Sequence, residues 1–190
     1  MTKYLFLFPV IFILSLVSCK EEKKNLGNDT QELTEEEIYQ KLLEELQQES
    51  VPDEEVIEMR ENAEKILEYR WRESPKIWAA IESQPWRLEF IATGPNVERI
   101  EDAWFDFHDD HTFEFGSSLG VLGAGKYHFD NNTRLLIMNE NRKDVKPREY
   151  AVTLSGDAMV WVGTKTYEDN HMQMKLGRLL IRPDKQKQLK

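Results

Sequence analysis

Residue 86 divides this chain. Downstream of it, apolar side chains recur at every second position in short runs, which is the pattern of strands with one buried face. The run "WRLEFIA" puts Trp86, Leu88 and Phe90 on one face, with Arg87 and Glu89 opposite. "AWFDFH" alternates Ala103, Phe105 and Phe107 against Trp104, Asp106 and His108. Further runs are "TFEFG", "GKYHFD", "RLLIMN", "REYAVTL", "AMVWVGTKT" and "MQMKLGRLLIR", separated by the turn formers "DDH", "DNNT", "SGD" and "EDNH". About eight strands at such short, regular intervals predict an antiparallel barrel or sandwich.

Upstream the period is helical. Thr34 with Glu37 three residues on is a capping box, and Ile38, Leu42 and Leu46 then form one apolar stripe. Pro52 suits the first turn of a second helix, whose positive end Asp53, Glu54 and Glu55 favour. Val56, Met59, Ala63 and Ile66 repeat along it, and Ser74-Pro75 opens a third short helix, "KIWAAIES". The short joint at 48–52 predicts that the first two helices run antiparallel.

Charge follows the same boundary. Residues 20–84 carry 19 acidic and nine basic side chains, a net of −10, whereas residues 85–190 carry 16 acidic and 15 basic, a net of −1. The acidity therefore belongs to the helices, and the split predicts that arm and β-region are separate units. An acidic balance without a basic stripe speaks against nucleic acid, whose phosphates would be repelled.

The first residues carry an address. "YLFLFPVIFILSLV", residues 4–17, is apolar apart from one Ser and follows Lys3. It is too short to span a bilayer, which takes about 20 residues, and has the form of a secretory signal. Leu16-Val17-Ser18-Cys19 resembles the bacterial lipoprotein box, in which the Cys becomes the first mature residue and carries acyl chains. Cys19 is the only cysteine, so lipidation leaves none for a disulfide. Acyl chains bury about 0.8 kcal/mol per methylene and would hold the protein to a membrane, here the outer membrane. Lys20-Glu21-Glu22 is similar to surface-display signals of some Gram-negative groups and equally fits a solvated tether, so surface and periplasmic face both stay open.

The β-region resembles the lipocalin-like domains of secreted bacterial lipoproteins. Ser83-Gln84-Pro85-Trp86 stands where that family has Gly-x-Trp, "FDFHDDHTFEF" matches its second hairpin, and Gly125-x-Tyr127 followed by "LLI" matches the next. The chain is thus expected to be α+β, with residues 1–18 as signal, 19–33 as tether, 34–82 as acidic helical segment and 184–190 as basic tail, and the resemblance implies that 83–183 form an up-and-down barrel of about eight strands. It also implies that Trp86 closes the barrel floor under an Arg from the last strand, Arg182 or, as second candidate, Arg178. Gln84 and His111 depart from the family pattern, although His accepts a left-handed backbone better than most residues.

A barrel of this size either fills with side chains or just holds one small ligand. Inward candidates are Trp86, Phe90, Phe105, Phe107, Phe113, Phe115, Tyr127, Phe129, Tyr150 and Trp161. Of these, Phe90, Phe105, Phe107, Phe115, Tyr127, Tyr150 and Trp161 are the expected lining of an apolar cup, and a packed core explains the same residues. His108-Asp109-Asp110-His111 has metal donors but stands at a predicted turn, where Asp is preferred for backbone reasons. His128 and His171 read as solvent-side or turn residues. The glycines of "GSSLGVLGAGK" lack the Ser or Thr of a phosphate loop and fit a mouth loop or bulged strands. No nucleophile–base pair can be proposed, so no enzyme, metal or cofactor is expected. The leading expectation is an apolar or amphipathic small molecule bound in the barrel. The alternative is a filled barrel that docks a protein partner through its loops.

Overall fold

The computed structural model describes residues 33–48, 50–73 and 79–186. The signal segment, Cys19, the tether up to residue 32, residues 74–78 of the expected third helix and residues 187–190 lie outside the described residues.

Helix α1 (Glu35–Gln47) starts as the capping box requires. The Glu37 amide donates to Thr34 Oγ1 at 3.2 Å, and the Thr34 amide donates back to the Glu37 carboxylate at 2.7 Å. Leu42 and Leu46 are buried together with Leu122 of the barrel, and Tyr39 donates its hydroxyl to the Val121 carbonyl at 3.0 Å. Helix α2 (Glu54–Glu73) is capped by Asp53, whose carboxylate accepts the Val56 amide at 2.9 Å, so Pro52 stands ahead of the helix rather than in its first turn. Its buried residues are Ala63 and Leu67, while Ile66 remains 37% exposed. Ala63 of the expected stripe is buried, but Leu67 takes the place of Ile66, and the rest of the contact face is polar, with Arg60, Glu64 and Trp71 all bonded to the barrel. The described end of the expected third helix, Ala79 onward, is a turn rather than a helix, and it buries Ile81 completely.

Nine strands follow: β1 (Trp86–Thr93), β2 (Asn96–Arg99), β3 (Trp104–Phe107), β4 (Thr112–Ser117), β5 (Gly120–Phe129), β6 (Leu135–Glu140), β7 (Arg148–Ser155), β8 (Ala158–Gly163) and β9 (Met172–Arg178). A four-residue helix, α3 (Pro183–Gln186), comes last. All pairings are antiparallel; they join sequence neighbours except that β1, not β2, pairs with β3, and β1 also pairs with β9, which closes the sheet. β2 and β3 share one edge of β1, β2 against Phe90–Thr93 and β3 against Trp86–Arg87. They are therefore one interrupted strand, and the fold is a closed eight-stranded up-and-down barrel behind a helical region. The free edge of β2 is short, follows Pro95 and carries Glu98, features that discourage chance strand pairing.

Strand β1 does not alternate as its sequence suggests. The register against β9 shifts by one residue between Leu88 and Phe90, a bulge. Trp86, Leu88 and Ile91 are buried, whereas Phe90 is 37% exposed. A bulge adds one residue to one side of a strand pair, so Glu89 and Phe90 both face outward. The barrel core also reaches ahead of Ser83, since Ala79 and Ile81 belong to it and the Trp86 indole donates to the Ile81 carbonyl at 2.8 Å.

Candidate functional site

The lumen is the first place to look for a ligand. Phe105, Phe107, Phe115, Tyr127, Tyr150 and Trp161 do converge there, Phe105 and Phe115 partly buried and the others fully. Phe90 does not join them: the bulge turns it to the outer face, where the Lys175 ammonium lies 5.8 Å from its ring. The rings meet across the barrel. The completely buried Trp161 of β8 is 5.2 Å from Phe105 and 6.0 Å from Phe107, both of β3, and 5.2 Å from Tyr150 of β7. Phe107 lies 4.9 Å from Tyr127. Gly123 and Gly125 have no room for a Cβ, the first because of the Phe115 ring and the second because of the Asn139 carbonyl and the Phe113 ring, so these glycines belong to packed strand rather than to a mouth loop. At these separations rings from β3 and from β7 and β8 meet inside the barrel.

This end of the barrel has two Trp–Arg pairs where one was expected, one inside and one outside. Trp86 is buried under Arg178, whose guanidinium carbon is 5.2 Å from the ring. Arg182 covers a different indole, Trp104, at 4.0 Å. Strand pairing decides this, because Arg178 is the direct β9 partner of Trp86, whereas Arg182 lies beyond the end of β9. Arg182 is held there by Glu114 at 2.5 Å, Asp184 at 2.7 Å and Asp106 at 3.6 Å. Trp104 is outward-facing on β3 yet fully buried, and its indole donates to the Ser117 carbonyl at 2.8 Å. Alternation places Trp104 outside. Only the fold shows what covers it.

At the opposite end, the loops 141–147 and 164–171 carry charge. Lys146 Nζ is 3.2 Å from Asp169, which is completely buried with neither carboxylate oxygen in an aligned hydrogen bond, and it also donates to the Tyr167 carbonyl. Burial pushes the nearby Glu140 carboxyl above the usual carboxylate range. Among the described residues no cluster of three or more His, Cys, Asp or Glu could hold a metal. His108 to His111 forms the predicted hairpin turn, with His111 in the left-handed region at φ 67°. His111 also stacks on Trp71 of α2, with centroids 5.2 Å apart. His128 differs from expectation: it is buried, and burial together with Arg70 lowers its pKa below the ordinary histidine value.

Outside the barrel, α2 lies over β5 and β6 through directional bonds. Arg60 donates to the carbonyls of Glu140 at 2.6 Å and Val145 at 2.7 Å. Glu64 accepts from Lys126 and Asn139, both at 2.9 Å, and the Trp71 indole donates to the Tyr127 carbonyl at 3.0 Å. Beside α2, a groove of about 350 Å³ runs against the outer wall of β6 and β7. On the wall away from α2, register aligns Arg99, Phe90, Lys175 and Val160 in one row and Val97, Ala92, Gln173 and Val162 in the next. Val97 is 69% exposed, and Val160 and Val162 are exposed as well.

No family model matches the chain, and no curated protein matches it. Solved structures similar to it include two from Bacteroides. One is a DUF4847 family protein from Bacteroides vulgatus, 12% identical, covering 52% of this chain and 94% of that one, with a TM-score of 0.39. The other is a protein from Bacteroides uniformis, 18% identical, covering 58% of this chain and 99% of that one, with a TM-score of 0.38. Among the described residues no helix is long and apolar enough to cross a membrane.

Proposed function

We propose that this protein is a lipid-anchored envelope module that docks a protein partner on the outside of a filled barrel. The observation that carries the reading is the ring bridge across the lumen, Phe105 and Phe107 to Trp161 to Tyr150. Side chains already occupy the space a ligand would need, while Phe90, Val97, Val160 and Val162 stand exposed on the uncovered wall. Exposed apolar area on one face of a domain is characteristic of interaction surfaces. The Cys19 box supports anchorage to the outer membrane, on its surface or its periplasmic face.

A small apolar ligand is the second reading, favoured by Phe105 and Phe115, which border the lumen while only partly buried. Native mass spectrometry of the mature chain separates the two. The docking reading expects a bare mass. A co-purifying apolar molecule that disappears with Phe105→Ala or Phe115→Ala would overturn it in favour of the ligand cup. The anchor has its own test: Cys19→Ser should abolish incorporation of labelled palmitate, and equal labelling of the variant would remove the lipoprotein reading.

A further inference from the structure

The groove between α2 and the β6–β7 wall differs from the rest of the surface in both shape and charge. Its floor is Ile137, which is buried, and its sides are Ile66 and Tyr69, respectively 37% and 51% exposed. Lys65 and Arg70 flank this apolar strip, and Arg72 adds a third cation 5.7 Å from the Tyr69 ring. Among the described residues Lys65 has no ion-pair partner, and Arg70 reaches Asp130 only at 4.0 Å. The acid on the lining, Glu149, is already engaged, because Thr164 and Thr166 donate their hydroxyls to one of its oxygens at 2.7 and 2.6 Å. On a chain of net charge −10, the lining of this apolar strip thus carries two cations against one hydrogen-bonded carboxylate.

We infer that this groove seats a segment of a partner protein in which aliphatic side chains are flanked by carboxylates. The inference rests on the docking reading and gives it a place and a chemistry. Aliphatic groups cover Ile66, Tyr69 and Ile137, and carboxylates meet Lys65 and Arg70. A small molecule fits less well, since ligand pockets enclose most of their ligand and this groove leaves Tyr69 half exposed. Strand addition is excluded at this wall because β6 and β7 are each paired on both edges. Recognition is therefore by side chains.

The test uses the full mature chain carrying Cys19→Ser and three labelled peptides of equal length: alternating Leu and Glu, alternating Leu and Lys, and alternating Ser and Glu. Fluorescence anisotropy should show binding of the Leu–Glu peptide, at least about tenfold stronger than either other peptide, weakening as salt rises. Lys65→Glu with Arg70→Glu should abolish that preference while the melting temperature stays near that of the parent, since both side chains are solvent-facing. Equal binding of the Leu–Lys peptide, binding unchanged in the double variant, or no binding of any peptide would overturn the groove assignment. A photo-crosslinking residue at Tyr69 or at Val160, compared in cells, separates this from the docking reading. Crosslinks at Tyr69 to an acidic–aliphatic segment support the inference, and crosslinks at Tyr69 to a second copy of this chain overturn it. Crosslinks at Val160 alone overturn the groove and keep the docking reading. Crosslinks at neither position remove both.

Discussion

The inside of the barrel and the seat of α2 on its outside are held by opposite kinds of force. The lumen is joined by aromatic and aliphatic contact, with Trp86, Trp161, Leu136 and Leu176 all fully buried. Such contact is non-directional and scales with the apolar area removed from water. The α2 seat buries just two apolar side chains of the helix and otherwise relies on Arg60, Glu64 and Trp71 reaching particular backbone and side-chain partners. Those bonds fix where the helix lies but compete with water, so each contributes about 0.5–1.5 kcal/mol, more when charged. The barrel therefore carries the stability, and the helix position is set by a handful of polar anchors.

The sharpest way to break this contrast is inside the lumen. Trp161→Ala should destabilise by about 3–5 kcal/mol in urea unfolding, because it removes a large ring and leaves a cavity among Phe105, Phe107 and Tyr150. Trp86→Ala should fall in the same range, since its floor contacts and its bond to Ile81 go with it. A melt like the parent's in both variants would mean that the lumen is not the source of stability.

Next comes the seat of α2. Arg60→Ala strips the donor from the Glu140 and Val145 carbonyls and should cost about 1–2 kcal/mol. The expected signature is faster proteolytic cleavage within α2 while the near-ultraviolet spectrum of the barrel is retained. Joint loss of both would show one cooperative unit instead of two. Arg182→Lys should cost about 1 kcal/mol, because Lys keeps the charge but lacks the flat surface that lies on Trp104. Arg178→Lys should cost less, its guanidinium being farther from Trp86 and more exposed.

The smallest effect is acid dependence at the α2 seat. His128 is buried on the outer wall near Arg70, Asp130 and His111, and burial is the main cause of its lowered pKa. The unfolded chain therefore binds the proton more readily, and stability falls as pH drops from about 6.5 toward the lower folded value, then levels off. His128→Gln should flatten that part of the pH–stability curve. An unchanged slope would place the acid sensitivity elsewhere.

Much of the barrel was legible because its alternation is strong. Trp86, Phe105, Phe107, Phe113, Tyr127, Tyr150 and Trp161 face inward as the two-residue period requires. Phe90 was not, since a bulge leaves no mark in a run of alternating residues. The buried face of α2 was hidden because polar residues make it, and a search for apolar stripes passes over them. Arg182 and Arg178 could not be assigned without the register of β9 on β1. His128 looked solvent-side because nothing local says that a helix remote in sequence will cover it. The groove beside α2 was illegible for the same reason.

The bulge in β1 also makes that strand one residue longer than its place in the barrel demands. Removing one residue from a regular strand turns every later side chain to the wrong face. In β1 the reverse holds: without Phe90, the order Trp86, Arg87, Leu88, Glu89, Ile91 would alternate cleanly against β9. On its other edge Phe90 stands opposite Arg99 of β2, so the residue that the bulge turns outward is an aromatic facing water between Arg99 and Lys175.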